Sequence, residues 1–208
     1  MKKHWFGLLL LVMVLIGTGI AYPYLPQQVG AHWNYKGVPD EFVQKSYGAL
    51  FLPGTMLILY ILTILLPKID PKKKNYQRFQ DTYYLIMNII LSFLFLMQVV
   101  QITTSLGKIN PAHVVPELVG LLFILIGNFS PKFKHNYFIG IRTPWTLASE
   151  EVWKKTHRFG GKVFVVLGLL MLIVPFIPAA IQAYYVFSII VVCLALIFLS
   201  SYYFFIKN

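Results

Sequence analysis

The chain has 208 residues, of which 58% are hydrophobic and only 12% are charged, against about 25% in an ordinary soluble domain. This composition excludes a disordered chain, a coiled coil and a soluble globule, and the single cysteine, Cys193, excludes a disulfide framework and a cysteine-based zinc site. The net charge of +11 would suggest nucleic acid in a soluble protein, but here the basic residues lie between long apolar blocks and indicate membrane topology instead.

Six apolar blocks approach or exceed the length needed to cross a bilayer, so we predict an all-α integral membrane protein with one domain over residues 1–208. The predicted spans are 5–22, 48–66, 82–103, 113–129, 162–180 and 183–206. No small-residue cleavage site follows the first block, which favours a retained helix over a cleaved signal peptide.

The Lys and Arg residues are distributed unevenly between the two sides of these spans. Fifteen of them, including Lys2 and Lys3, belong to the side that carries both termini and the second and fourth connections, and only Lys36, Lys45 and Lys108 belong to the other. The positive-inside rule therefore predicts that both termini are cytoplasmic. The second connection, 67–81, is interpreted as a plain polar link.

The first connection, 25–45, falls on the extracytoplasmic side in this topology. His32-Trp33-Asn34 places an imidazole, an indole N–H and an amide together, and Gly37 with Pro39-Asp40 predicts a tight turn behind them. Two interpretations stay open: a folded cap over the helix ends, and a recognition surface or weak ion site. His32 and Asp40 alone are too few ligands to predict a metal site.

The fourth connection, 127–162, is too long and too patterned to be a simple linker. Its segment 136–141 is apolar but too short to span, which predicts an interfacial or re-entrant segment. Pro144 predicts a bend after Arg142, with Trp145 at the headgroup level beside the guanidinium. We expect Arg142 to need a carboxylate, backbone carbonyls or a phosphate as partners. Glu150 is one candidate, and Asn128 and Asn136 could complete the polar cluster.

A short amphipathic helix is predicted to follow on the inner leaflet. Ser149 is a good N-cap, and Glu150 and Glu151 precede Lys154 and Lys155 by four residues, which is the favoured order for helical ion pairs. Gly160-Gly161 is predicted to end this helix before the fifth span. The helix is either a membrane anchor or part of a functional loop.

Glu117 is the only acidic residue within a predicted span, and His113 precedes it by one helical turn. Such a pair can carry a proton, a cation or a peptide amine near the first connection. The alternative is a neutral or His113-paired glutamate that faces the interior of the bundle.

Two strings in the chain resemble motifs of a known family. The string NYFIGIRTPWTLASEEVWKKTHR, 136–158, together with the preceding Gly127-Asn128, closely resembles the signature of the SdpI family of six-span bacterial membrane proteins. The string 25–40, with the pattern LPxxVxxHWNxxGxPD, resembles a small domain of unknown function found at the N-terminus of these proteins. The signature positions taken as inner-loop site residues are Asn128, Asn136, Arg142, Thr143, Pro144, Trp145, Glu150, Trp153, His157 and Arg158.

The resemblance implies a multi-pass protein of the bacterial cytoplasmic membrane that gives immunity to a secreted antimicrobial peptide toxin. It also implies a receptor role, in which toxin engagement lets the protein hold a small DNA-binding repressor at the membrane, with no direct contact to nucleic acid. The expected toxin-binding residues on the outer face are His32, Trp33, Asn34, Asp40, His113 and Glu117.

Two other functions stay open at this point. A membrane enzyme could use the loop from Arg142 to His157 on a lipid or peptide at the inner leaflet, and a small proton-coupled transporter could use Glu117. The sequence contains no HExxH, GxSxG or Walker A motif. We therefore expect a binding protein with membrane lipids around it, without catalytic residues, metal or cofactor.

Overall fold

The computed structural model describes residues 4–34 and 36–208 and contains a helical bundle with one small β-hairpin. Lys2 and Lys3, which contributed to the predicted orientation, lie outside the described residues. In the described part, the helices and strands are α1 (Trp5–Ala21), β1 (Gln28–Trp33), β2 (Pro39–Gln44), α2 (Lys45–Ile69), α3 (Lys73–Gln77), α4 (Gln80–Ser105), α5 (Pro111–Phe129), α6 (Pro144–Ala148), α7 (Glu150–Met171) and α8 (Ala179–Ile206).

Six of these helices, α1, α2, α4, α5, α7 and α8, are long and apolar enough to cross a membrane. Their order and approximate positions confirm the six predicted spans and the all-α membrane fold. Many of their Leu, Ile, Val and Phe side chains are exposed on the surface of the chain, as expected for helices whose outer faces contact lipid rather than water.

The bundle has two halves that meet along α4 and α5. In the first half, Leu11 and Val14 of α1 pack with Met56 of α2 and Leu91 of α4. In the second half, the core joins α7 to α8 and includes Cys193, which is buried. The two halves are in contact through α4 and α5.

Two pairs of glycines bring the backbones of α5 and α7 into direct contact. A Cβ on Gly127 would meet the carbonyl oxygen of Gly161 at 2.6 Å, and a Cβ on Gly120 would meet that of Gly168 at 2.7 Å. Small residues allow this kind of close approach between membrane helices. The prediction that Gly160-Gly161 ends a helix is therefore wrong: α7 runs without a break from Glu150 to Met171, because this glycine region serves packing against α5.

The start of α7 follows the sequence prediction closely. The Ser149 side chain accepts the N–H of Val152. The distances between the carboxylate oxygen and the ammonium nitrogen are 3.2 Å in the pair Glu150–Lys154 and 2.7 Å in the pair Glu151–Lys155. The amphipathic turn and the fifth span are thus one helix, which carries the signature residues rigidly into the bundle.

The first connection forms an antiparallel hairpin, β1–β2, which the sequence did not predict as strands. Val29 pairs with Val43 and Trp33 with Pro39, with irregular register near His32. Its base packs on the bundle, since Val29 is buried with Ala49 at the start of α2 and with Ile102 near the end of α4. The hairpin therefore covers one end of the bundle, called here the hairpin end. The opposite end, which carries residues 130–149, is called the signature end.

Candidate functional sites at the two ends of the bundle

The tip of the hairpin is built from the polar residues that the sequence singled out. The Asn34 side chain accepts the backbone N–H groups of Lys36 and Val38 at 2.9 and 3.2 Å, so its amide oxygen shapes the turn. Gly37 has a φ of +74°, and a Cβ there would collide with the Asn110 side chain. Asn110 Nδ2 in turn donates to the carbonyl oxygen of Lys36 at 3.3 Å. The tip of the hairpin is thus attached to the start of α5.

His32 and Asp40 form a cross-strand pair, with 2.6 Å between Nδ1 and Oδ1. The hydrogen bond and the charge of Asp40 raise the pKa of His32 above its usual 6.5. Both side chains are more than 40% exposed, so the pair is accessible to solvent. The predicted tight turn forms at Gly37, whose N–H donates to the Asn34 carbonyl oxygen at 2.8 Å. Pro39 and Asp40 are not part of it, because both lie within β2.

A cavity of about 830 Å³ lies beneath the hairpin, between the two halves of the bundle. His32, Trp33, Asn34 and Asp40 form its hairpin side, and the remaining lining comes from α2, α4, α5, α8 and the short turn at Val174. The lining is mostly apolar. The structure therefore brings together the four hairpin residues expected on the outer face, although the helices supply most of the wall.

His113 and Glu117 lie elsewhere. Both are on the exposed side of α5 and neither lines this cavity. Within residues 4–34 and 36–208, no hydrogen bond or ion pair joins them. The expected His113–Glu117 pair beneath the first connection is wrong, because the α5 face that meets the cavity is formed by neighbours such as Ala112, Val115 and Pro116.

At the signature end, Asn136 organises the loop between α5 and α6. The residue is fully buried, and its side-chain oxygen accepts the N–H groups of Phe138 and Ile139 at 2.9 and 2.7 Å. Its amide nitrogen donates to the carbonyl oxygens of Lys134 and Ile139. Because one side chain satisfies several backbone groups, the apolar segment after it is a compact turn rather than a re-entrant span.

Trp153 and His157 support this turn from α7. Both are fully buried, and their rings stack at 4.1 Å between centroids. The indole N–H of Trp153 donates to the carbonyl oxygen of Phe133. His157 Nε2 accepts the N–H of Ile141 at 2.9 Å, so Nδ1 carries the proton that is donated to the Trp153 carbonyl oxygen. These two residues hold the loop in place and have no surface for a partner.

The short helix α6 begins with a capping box. The Thr143 hydroxyl accepts the N–H of Thr146, and the Thr146 hydroxyl accepts the N–H of Thr143 at 2.9 Å. Pro144 occupies the first helical position, which suits its fixed φ. Trp145 packs at 5.0 Å against Phe198 and at 5.0 Å against Tyr202 of α8. The expected position of Trp145 beside Arg142 is not observed, because α6 directs the indole onto α8.

Arg142 bonds to a backbone carbonyl, which is one of the expected partner types, and not to the side chains named as candidates. Its Nη1 donates to the carbonyl oxygen of Tyr137 at 2.8 Å, while Glu150 pairs with Lys154 instead. Asn128 is exposed, and its only side-chain hydrogen bond within the described part of the chain goes to the carbonyl oxygen of Ile124 in its own helix. The Arg142 cluster with Glu150, Asn128 and Asn136 is therefore not formed.

Nine of the ten signature residues fall into a buried or an exposed set, and the tenth, Trp145, is half-buried. The buried set comprises Asn136, Thr143, Trp153 and His157. The exposed set comprises Asn128, Arg142, Pro144, Glu150 and Arg158. The buried residues give the loop its shape, and the exposed residues form the surface that a partner could contact.

The second connection, interpreted from the sequence as a plain link, contributes a buried carboxylate to this end. Asp70 is 2% exposed; its Oδ2 accepts the N–H of Tyr137 at 2.9 Å and the Tyr76 hydroxyl at 3.1 Å. Burial, and after it the nearby Asp70, raises the pKa of Tyr76. The sequence signal was a lone acid in the basic string Lys68 to Lys74, which is a costly place for a carboxylate unless it has partners.

Two further contacts join the same connection to the signature loop. Lys72 Nζ donates to His135 Nδ1 at 2.9 Å, and Asn75 Nδ2 donates to the carbonyl oxygen of His135 at 2.8 Å. Burial, together with the Lys72 ammonium, lowers the pKa of His135, which favours the neutral ring that can accept this bond. The second and fourth connections thus form one ordered structure.

Comparisons with known proteins cover both ends of the bundle. Residues 132–203 match the model of the SdpI/YfhL protein family, and residues 8–57 match a domain of unknown function, DUF1648. Over 210 aligned residues the chain is 31% identical to a protein named Immunity protein SdpI from Bacillus subtilis (strain 168), with 100% of this chain and 98% of that protein covered. No solved structure matches the chain significantly.

Proposed function

This chain belongs to the SdpI family, and we propose that it is a membrane immunity protein that protects its cell against a secreted antimicrobial peptide. The six apolar helices and the family make it a multi-pass membrane protein. The relative named as an immunity protein aligns along the whole chain, so the proposed role concerns the complete bundle. The role is that of a binding protein rather than an enzyme.

The observation that carries this proposal is the cavity of about 830 Å³ beneath the hairpin. Its volume falls in the range of about 300–1,000 Å³ typical of ligand sites, and its lining is mostly apolar, as in most such sites. A secreted peptide that acts on membranes has apolar side chains to bury there. The toxin is therefore proposed to bind at the hairpin end.

The proposed orientation places the hairpin end outside the cell. The second connection and the region from 130 to 162 carry Lys and Arg at many positions, whereas the hairpin end carries Lys36, Lys45 and Lys108. This difference supports cytoplasmic termini by the positive-inside rule. A secreted toxin would then meet the hairpin first, and the signature end would face the cytoplasm.

We further propose that the signature end reports toxin binding to a cytoplasmic partner, such as a small DNA-binding repressor. The exposed signature residues, with Arg142 among them, offer a surface that is held in one shape by buried neighbours. Asn110 bonds to Lys36 at the hairpin end, and Tyr137 bonds to Asp70 at the signature end. Each bond joins one half of the bundle to the other, so a shift of one half against the other would reach both ends. Co-sedimentation of a repressor with membranes should increase after the cells are exposed to toxin, and unchanged sedimentation would contradict this signalling role.

The transporter alternative has less support. A coupling residue would be expected to face the interior of the bundle or a water-filled cavity, whereas Glu117 is on the exposed side of α5 and outside the cavity lining.

Killing curves test the proposed function. A sensitive bacterium that expresses this protein should survive a sporulation-delay-type peptide at concentrations that kill cells with an empty vector. A strain that expresses an unrelated six-span membrane protein at the same level controls for membrane load. Equal killing of the expressing and empty-vector strains by every related peptide would contradict the proposal.

A further inference from the structure

We infer that a pocket between α2, α3 and α4 at the signature end binds the headgroup phosphate of an anionic phospholipid. The pocket has a volume of about 300 Å³ and lies where α2 ends and α4 begins. Two lysines, two glutamines, three tyrosines and one proline line it. The site is separate from the cavity beneath the hairpin, so it does not depend on the proposed immunity role.

The charge of this pocket is positive. Lys73 and Lys74 both line it, and neither ammonium group has a hydrogen bond or an ion pair within the described part of the chain. The lining described here includes no carboxylate, because the neighbouring Asp70 and Asp81 both lie outside it. Two neighbouring cations repel each other, and an anion bound between them is attracted to both. The pocket therefore favours an anionic ligand.

Three other lysines at this end already have partners in the chain. Lys72 donates to His135 Nδ1, and Lys154 and Lys155 each pair with the glutamate one helical turn before them. Their charges are used within the protein, whereas the two lysines of the pocket have no such partner. This difference supplies a matched pair of lysines against which the site can be tested.

Neutral donors accompany the two ammonium groups in the lining. The Tyr76 and Tyr83 hydroxyls already donate within the protein, to Asp70 and to a backbone carbonyl oxygen. The Gln77 amide and the Tyr84 hydroxyl, by contrast, have no hydrogen-bond partner in the part of the chain that the structure describes. Phosphate oxygens accept several hydrogen bonds and bind ammonium groups strongly. A phosphate group therefore matches both the charge and the donors of this lining.

The position of the pocket favours a lipid headgroup over a soluble anion. Both α2 and α4 are long and apolar enough to span a membrane, and the pocket lies at the ends of these helices, where the headgroups begin. Slightly deeper in the same helices, Leu65 and Leu85 are exposed apolar side chains that can contact acyl chains. Basic pockets between membrane helices are known to bind the headgroups of anionic lipids. The phosphate site and the surface for the acyl chains are thus adjacent.

Native mass spectrometry of the delipidated full-length protein in detergent tests this inference, with phosphatidylglycerol as the probe. Wild type should bind phosphatidylglycerol more tightly than phosphatidylcholine, whose headgroup has no net charge. Lys73→Gln combined with Lys74→Gln should weaken phosphatidylglycerol binding about tenfold to thirtyfold. Lys154→Gln combined with Lys155→Gln removes the same charge from the same end, and this control should bind like wild type. Lys73→Arg combined with Lys74→Arg keeps both charges and should retain binding.

Two further measurements complete the test. The unfolding temperature of the lipid-free protein should be the same for wild type and the Lys73→Gln, Lys74→Gln variant, because both positions are exposed. Inorganic phosphate at millimolar concentration should not displace phosphatidylglycerol, and displacement would show a site for soluble phosphate and overturn the lipid assignment. Equal phosphatidylglycerol binding by wild type and this variant, or an equal loss in the Lys154→Gln, Lys155→Gln control, would overturn the site.

Discussion

The carboxylate of Asp70, at the end of α2, accepts a hydrogen bond from the backbone N–H of Tyr137 at 2.9 Å. The two residues are 67 positions apart, and the bond joins the first half of the bundle to the signature loop. The same carboxylate also accepts the Lys72 N–H at 2.7 Å and the Tyr76 hydroxyl. Asp70 is therefore a central polar contact of the signature end.

Asp70→Asn should destabilise the protein, because an amide nitrogen cannot accept a hydrogen bond from the donors that surround this side chain. A buried donor that is left without an acceptor lowers the free energy of unfolding by about 1–3 kcal/mol. The unfolding temperature of the purified protein in detergent should fall. Lys73→Ala, at an exposed position of the same connection, is the matched control and should not change it. An unchanged unfolding temperature for Asp70→Asn would contradict the structural role of this carboxylate.

The sequence predicted the spans and the start of α7 because both depend on local patterns. The length of an apolar block predicts a span. The start of α7 is stabilised by the Ser149 cap and two Glu–Lys pairs, and all of these contacts join residues that are close in sequence. The Asp70–Tyr137 bond could not be predicted in this way, because it depends on how two distant connections meet. The continuity of α7 through Gly160-Gly161 was missed for the same reason: a glycine pair that ends a helix and one that packs on another helix look alike in sequence.

The candidate sites were also predicted in part. The hairpin residues do line a cavity, but Gln101 and the apolar wall come from helices whose relative rotation no local pattern specifies. That rotation also explains why His113 and Glu117, correctly placed on one helical face, face away from the cavity. The roles of all these residues in binding stay predictions.

Gly140→Ala should disrupt the signature loop. Gly140 has a φ of +117°, and an added Cβ would collide with Nε2 of His157. A strained backbone position of this kind costs about 1–3 kcal/mol before the collision is counted. The unfolding temperature should fall, whereas Gly54→Ala, where nothing lies within 4 Å of the added atom, should not lower it. Equal stability of both variants would show that the loop does not need this glycine.

The His32–Asp40 pair should make the hairpin depend on pH. Because the pKa of His32 is raised in the folded protein, the pair contributes fully below about pH 6.5 and its contribution is lost as the pH rises through the raised value. Hydrogen exchange of hairpin amides, compared with His32→Gln at each pH, should show extra protection in wild type at pH 6 that disappears at alkaline pH. If wild type and His32→Gln differed in amide protection by the same amount at pH 6 and at alkaline pH, the pairing would be contradicted.

Cysteine labelling should establish the orientation. In a Cys193→Ala background, an impermeant thiol reagent added to intact cells should label a cysteine that replaces Lys36 and miss one that replaces Lys73. The reason is the excess of basic residues at the signature end. Labelling at position 73 but not at position 36 would show that the topology is the reverse of the proposed one. The hairpin end would then be cytoplasmic and could not be the site where a secreted toxin binds.

The most direct test of the account is hydrogen exchange of the protein in nanodiscs with and without a sporulation-delay-type peptide. The account predicts protection in the hairpin, residues 28–44, and at the start of α5, because the toxin is proposed to bind in the cavity between them. Protection confined to the signature end, or no protection at peptide concentrations that the protein neutralises in cells, would contradict it.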